Sequence, residues 1–258
     1  MHVLIITDLE GISSVDSIDM IDESTEGYRR ACEYLMADTN AAIDGAFLGG
    51  ATKVTVEDGH GKATNFIHEL LDPRATVIPS RELSYNTPRD FDALLCVGAH
   101  AMAGTENAFL DHTQSSVQWF EYCIDGVPQG ELGQQAYCLG QFGIPMVMVS
   151  GDEAACREAR WMVPEVATAC VKKALGRNKA ICIPQEESAR LIREAAADGV
   201  RRCKSIAPLK LKLPAEIRIT YCRNDYCDRA MHEGLQRNGR TLTKTIDRIE
   251  NYMDLVKL

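Results

Sequence analysis

Val3-Leu4-Ile5-Ile6-Thr7-Asp8-Leu9-Glu10-Gly11 is the stretch on which the fold reading turns. Val3 to Ile6 is an unbroken apolar run, as expected of a strand buried on both faces of a parallel sheet. Two carboxylates, Asp8 and Glu10, then fall where the strand gives way to a loop, and Gly11 lets the chain turn sharply. In open α/β sheets, ligands bind at the carboxyl ends of the strands. Paired carboxylates at that rim point to a bound cation or to polar chemistry.

The same grammar repeats along the chain. Glu26 to Leu48 reads as a helix, with Tyr28, Cys32, Leu35, Met36, Ala42, Ile43 and Phe47 on one apolar stripe and Gly49-Gly50 ending it. Thr52 to Glu57 is a strand running into Asp58-Gly59-His60-Gly61. Asn65 to Leu71 is a short helix and Ala75 to Ile78 another strand. Ala93 to Val97 is a buried strand running into Gly98-Ala99-His100. Val117 to Ile124, Asp125-Gly126 and Val127 form a hairpin, since Asp-Gly is a strong tight-turn signal. Leu132 to Phe142 is helical, Pro145 to Val149 a strand ending in Ser150-Gly151-Asp152, and Glu153 to Met162 helical. This alternation to about residue 176 is the signature of an α/β fold with a mainly parallel sheet flanked by helices. Beyond it come a helix at Gln185 to Ala197, a strand at Glu216 to Tyr221 and a helix at Asp225 to Leu235. A strand at Arg240 to Thr245 and a final helix at Ile246 to Val256 complete the chain. The expected organisation is a catalytic domain over 1–180 and a smaller C-terminal α+β lobe over 181–258.

Composition excludes several function classes. The 258 residues are 45% hydrophobic and 25% charged, enough for a well-filled core. A net charge of −9 argues against nucleic acid, whose phosphates need clustered Lys and Arg. No apolar run reaches the roughly 18 residues of a membrane span. Met1-His2 leads straight into a strand with no signal-peptide pattern, so a cytoplasmic location is expected. The ten cysteines include no C-x-x-C pair, and Cys96, Cys138, Cys156 and Cys182 lie inside predicted elements. Buried thiols are the better reading than a disulfide set, with Cys222 and Cys227 near enough in sequence to meet.

Five potential metal ligands fall at or just past element ends: Asp8, Glu10, His60, His100 and Glu131. Carboxylate and imidazole together suit zinc, and also manganese, cobalt or iron. Each has a plainer role when taken alone. Asp8 caps a loop, Glu10 is a solvated carboxylate, and Glu131 opens a helix where negative charge favours the dipole. His112, in Leu110-Asp111-His112-Thr113, is the remaining histidine in a loop, whereas His68 and His232 fall on predicted helices. The joint pattern carries the weight.

In order and spacing, D-x-E-G at 8–11, D-G-H at 58–60, G-x-H at 98–100, His112 and G-E-L-G at 130–133 resemble the M55 metallopeptidases, the D-aminopeptidase family. The resemblance implies two zinc ions per subunit, with Asp8 bridging and Glu10, His60, His100 and Glu131 completing the shell. It places His112 as the catalytic histidine, as base or nucleophile. It implies removal of N-terminal residues from short peptides with a free N-terminus, some containing D-amino acids. A ring-like homo-oligomer, a decamer, is implied as well.

Other readings are weaker. A metal phosphoesterase or other amidohydrolase would recruit Arg or Lys, and the nearest, Lys62 and Arg89, belong to no motif. A nucleotide-binding protein needs a Gly-rich turn after the first strand, where acidic Asp8 and Glu10 stand instead. Ser115 and Ser116 follow His112, but there is no G-x-S-x-G elbow. An inactive ring-forming scaffold would have no need of the full ligand set.

Overall fold

The computed structural model describes residues 1–79 and 89–258. A seven-stranded sheet has the order β3-β2-β1-β4-β7-β8-β9. Its strands are β1 (His2–Thr7), β2 (Lys53–Asp58), β3 (Ala75–Val77), β4 (Ala93–Ala99), β7 (Met146–Asp152), β8 (Ala167–Gly176) and β9 (Lys179–Cys182). Neighbours are parallel except β8 with β9. β1 lies between β2 and β4, so the chain leaves it in one direction and later returns on the other side. That switch point is where an open α/β sheet presents its crevice, and Asp8 follows β1 directly.

Helix α1 (Glu26–Leu48) has the expected bounds and buries Ala31, Leu35, Met36, Ala42 and Ile43. It packs on β1, β2 and β4, and on helix α4 (Gln185–Arg202). Helices α2 (Glu131–Gln141) and α3 (Glu153–Met162) pack on β4 and on β7 with β8. The expected helix at 65–71 is a single 3-10 turn, His68–Leu70.

A second sheet, all antiparallel, has the order β11-β12-β10-β5-β6. It joins β5 (Trp119–Ile124) and β6 (Val127–Pro128) to β10 (Ala215–Tyr221), β11 (Gln236–Asn238) and β12 (Thr241–Ile246). Asp125 and Gly126 both take positive φ, 49° and 76°, as the tight turn between β5 and β6 requires. Its core holds Tyr122, Ile124, Ile217, Ile219, Leu242 and Leu255. The expected boundary near residue 180 falls inside β9. The small sheet draws β5 and β6 from mid-chain, while α4, beyond 181, packs on the large sheet's α1.

Two local expectations need correction, and one strand pair was not expected. The helix expected over 246–256 is α6, Met253–Val256 only. Ile246 is held in β12 opposite Ala215, and the Asp254 carboxylate accepts the N–H groups of Glu250 and Asn251, diverting that backbone from helical bonding. The helix expected over 225–235 is α5, Asn224–Ala230. Met231 turns extended and Gly234 takes φ +92°, so His232 lies beyond the helix. The β8–β9 pair had no counterpart in the sequence reading. Among the described residues no helix is long and apolar enough to cross a membrane.

Candidate metal centre

Two backbone crossings build the floor. Asp8 N–H donates to the Val97 carbonyl and Gly11 N–H to that of Gly98, tying the loop after β1 to the end of β4. A Cβ on Gly98 would stand 2.1 Å from the Asp8 oxygen, and φ there is +77°. A Cβ on Gly11 would stand 2.1 Å from the Ala99 oxygen. Glycine is required at both, and the close approach brings Asp8 and Glu10 beside His100.

The six residues singled out from sequence converge. Asp8 Oδ1 is 3.0 Å from His60 Nδ1, and Asp8 Oδ2 is 3.3 Å from His100 Nε2. Glu10 Oε2 is 2.9 Å from His60 Nδ1. Glu131 Oε1 is 3.5 Å from His100 Nε2 and 3.7 Å from His112 Nε2. The His100 and His112 rings stack with centroids 3.9 Å apart. Two sets, Asp8–Glu10–His100 and His100–His112–Glu131, each bring ligand atoms within 4.8 Å of one another.

The imidazoles are oriented from behind. His100 Nδ1–H donates to the Ala101 carbonyl at 3.0 Å, and His112 Nδ1–H to that of Leu110 at 2.8 Å. Those bonds assign the tautomer and leave both Nε2 atoms as the working faces. His60 is held through its loop. Asp58 accepts the N–H and side-chain amide of Asn65, and that amide also donates to the His60 carbonyl. Tyr28 OH donates to Asn65 Oδ1 at 2.6 Å. Asp58 of the D-G-H motif therefore steadies the loop while His60 faces the centre.

The electrostatics are those of a place for positive charge. Burial opposes charge on His60, yet Glu10 and Asp8 overcome it and push its pKa up to about 11. His100 is likewise buried but held well above the ordinary histidine range by Asp8 and Glu131. Burial would raise Asp8 and Glu131, but His100, joined by His60 at Asp8, holds both carboxyls below their usual range. With no metal present, protons on imidazole hold the carboxylates together. Glu10 Oε2 and His100 Nε2 are nevertheless buried without a well-directed hydrogen bond. His60 has one N–H at Nδ1, and it is directed at Asp8, so Glu10 Oε2 is close without being satisfied. A carboxylate oxygen and an imidazole nitrogen left in this state, among further carboxylates and imidazoles, fit a divalent metal.

Further buried polar partners complete the site. Lys172 of β8 is buried, its Nζ donating to the carbonyls of Glu10 and Val15 and lying over the Phe109 ring. Burial lowers its pKa to about 8. Asp38 of α1 accepts the N–H and hydroxyl of Ser13, and burial pushes its pKa up to about 6. Asp152 caps α3 through Ala155 N–H and accepts Phe109 N–H, while Glu158 accepts Met102 N–H. These two carboxylates anchor the 101–113 loop that carries His112. Lys62 pairs with Glu23, and Arg89 lies over the Phe142 ring. A cavity of about 460 Å³ opens against His112, lined also by Met102, Asp111, Trp119, Phe120 and Arg177.

Comparison with known proteins supplies the family. A D-aminopeptidase of Bacillus subtilis (strain 168) is 31% identical over 213 residues, 81% of this chain and 77% of that one. A solved structure superposes with TM-score 0.93 at 27% identity, covering 99% of this chain and 96% of its own. It is the Zn-dependent D-aminopeptidase DppA from Bacillus subtilis, described as a self-compartmentalizing protease. The Peptidase M55 (D-aminopeptidase) family model matches residues 1–258, and the chain belongs to that family of metallo-aminopeptidases.

Proposed function

We propose that this protein is a dinuclear zinc aminopeptidase that removes the N-terminal residue from short peptides, including those beginning with a D-amino acid. The observation that carries the metal count is the disposition of Asp8. Its two carboxylate oxygens face different imidazoles, Oδ1 toward His60 and Oδ2 toward His100. A bridging carboxylate fits that arrangement. Glu10 and His60 would hold one zinc with Asp8, and His100 and Glu131 the other. Bound zinc supplies Lewis acidity toward a carbonyl and makes water acidic enough to attack at neutral pH.

The chain's own groups do the remaining work. Asp8, Glu10 and Glu131 make the rim acidic, which favours the free ammonium of a peptide N-terminus. His112 faces the large cavity, and its Nε2 is free to accept a proton because Nδ1–H is committed to Leu110. We assign it to proton transfer during attack and departure of the amine. The relative's self-compartmentalizing description, together with exposed Trp161, Leu175 and Ile181, favours a ring-like homo-oligomer for this chain.

The test is elemental analysis of untagged protein purified without chelators, followed by a panel of D- and L-aminoacyl dipeptides. About two zinc per chain, both lost in Glu10→Ala or His100→Ala, with faster release from D-substrates, is expected. No metal, and none taken up on dialysis, would end the zinc reading.

A further inference from the structure

The C-terminal segment reaches the metal centre through hydrogen bonds that the family motifs do not contain. Tyr252 immediately precedes α6, more than a hundred residues from any proposed ligand. Its hydroxyl donates to Gln134 Oε1 at 3.0 Å and accepts from Gln114 Nε2 at 2.9 Å. Gln114 Nε2 also donates to Gln134 Oε1 at 2.9 Å. The three side chains thus close a ring: the Gln114 amide donates twice, the tyrosine once, and the Gln134 oxygen accepts twice, while the Gln134 Nε2 is buried outside the ring without a partner.

The ring bears on one backbone group. Gln114 sits at φ +60°, a left-handed conformation that residues other than glycine adopt reluctantly. In that conformation its N–H donates to Glu131 Oε1 at 2.7 Å. The same oxygen stands 3.5 Å from His100 Nε2 and 3.7 Å from His112 Nε2. Gln134 lies one helical turn beyond Glu131 on α2, so the ring grips both sides of that contact. Without its side-chain tether, Gln114 would relax toward negative φ and turn its N–H away from the carboxylate.

We propose that Tyr252 is a positioning residue for the metal centre: through Gln114 and Gln134 it holds the Gln114 N–H on Glu131 Oε1 and fixes that carboxylate for zinc. This rests on reading Glu131 as a zinc ligand. Outer partners of metal-binding carboxylates typically change metal affinity by about 10–100-fold when removed.

The experiment is a double-mutant cycle on the full-length chain, with zinc affinity measured by competition against a chromophoric chelator. Thermal unfolding of the zinc-free protein and kcat and KM are read alongside. Tyr252→Phe keeps the aromatic side chain and removes the hydroxyl, opening the hydrogen-bond ring. Expected are zinc binding about tenfold weaker, a fall in kcat with little change in KM, and unfolding of the zinc-free protein close to wild type. Gln114→Gly supplies a backbone that adopts φ +60° without strain and has no side chain for Tyr252 to hold. Adding Tyr252→Phe to it should therefore cost no further zinc affinity. Gln134→Leu, which removes the shared acceptor, should behave like Tyr252→Phe and serves if that variant folds poorly. Unchanged zinc affinity in Tyr252→Phe, whether or not it melts earlier, overturns the proposal, as does the same tenfold loss in the Gln114→Gly background. Glu131→Gln separates the two levels. If it binds zinc like wild type, the reading of Glu131 as a ligand fails; if it loses zinc while Tyr252→Phe does not, only the positioning role fails.

Discussion

Stripping and restoring the metal should reveal the protons that hold the centre together without it. In the metal-free protein His60 is cationic up to about pH 11, and His100 is held well above the ordinary histidine range. A metal needs the imidazole lone pair, so loading must expel both protons. Asp8 and Glu131, held below the usual carboxylate range, are already ionised and release nothing. At pH 8 the release is therefore one proton per chain from His60, a second to the extent that His100 is still protonated there, plus any from zinc-acidified water. The sign follows: protons compete with zinc, so affinity rises with pH by about tenfold per unit for each proton displaced, roughly 1.4 kcal/mol. The assay is calorimetric titration of chelator-stripped protein with zinc, in buffers of different ionisation enthalpy, from pH 7 to 8.5. Release of less than one proton, with affinity flat over that range, would mean that the imidazoles are neutral without metal. The carboxylates would then face one another uncompensated, and the electrostatic account of the site would be wrong.

The same linkage acts on folding: the raised pKa of His60 gives the stripped protein stability that is full below about pH 6.5 and lost as pH climbs toward 11. Thermal melts of stripped protein should fall between pH 7 and 10 while zinc-loaded protein changes less; parallel curves would contradict this. His112→Ala should lower kcat by about 10²–10⁴ with zinc content intact, and loss of zinc in that variant would reassign His112 as a ligand. Lys172→Met leaves the Glu10 and Val15 carbonyls unpaired, so urea unfolding should show a loss on the order of 3 kcal/mol. A change under 1 kcal/mol would mean that the loop does not depend on the lysine.

What was legible in the sequence is what short stretches encode. An apolar run followed by an acid marks a buried strand's end, and Asp8, His60 and His100 each follow such a run. The stripe in 26–48 gave α1 to the residue, and Asp125-Gly126 gave the β5–β6 turn. The errors fall where side chains compete for backbone or where distant segments meet. Asp254 captures two N–H groups and halts a pattern that otherwise reads as helix from Ile246. Lys172 sits in a run with Lys173, and only the β7–β8 register and the loop above it bury one and leave the other exposed.

The contrast between Gly98 and Gln114 shows why the supporting residues were hidden. Both occupy positive φ beside the proposed ligands. At Gly98 the cause is steric, since any Cβ would meet the Asp8 oxygen, and sterics of that kind leave a glycine to be read. At Gln114 the conformation is compatible with a side chain, and the amide of that side chain donates hydrogen bonds to Tyr252 and Gln134. A conformation secured by partners imposes no residue type of its own, so nothing in Thr113-Gln114-Ser115 announces it. The proposed ligands Asp8, Glu10, His60 and His100 are therefore written locally, just past strand ends. The proposed positioning of Glu131 rests on a residue of the last helix's cap, and only the folded chain brings the two together.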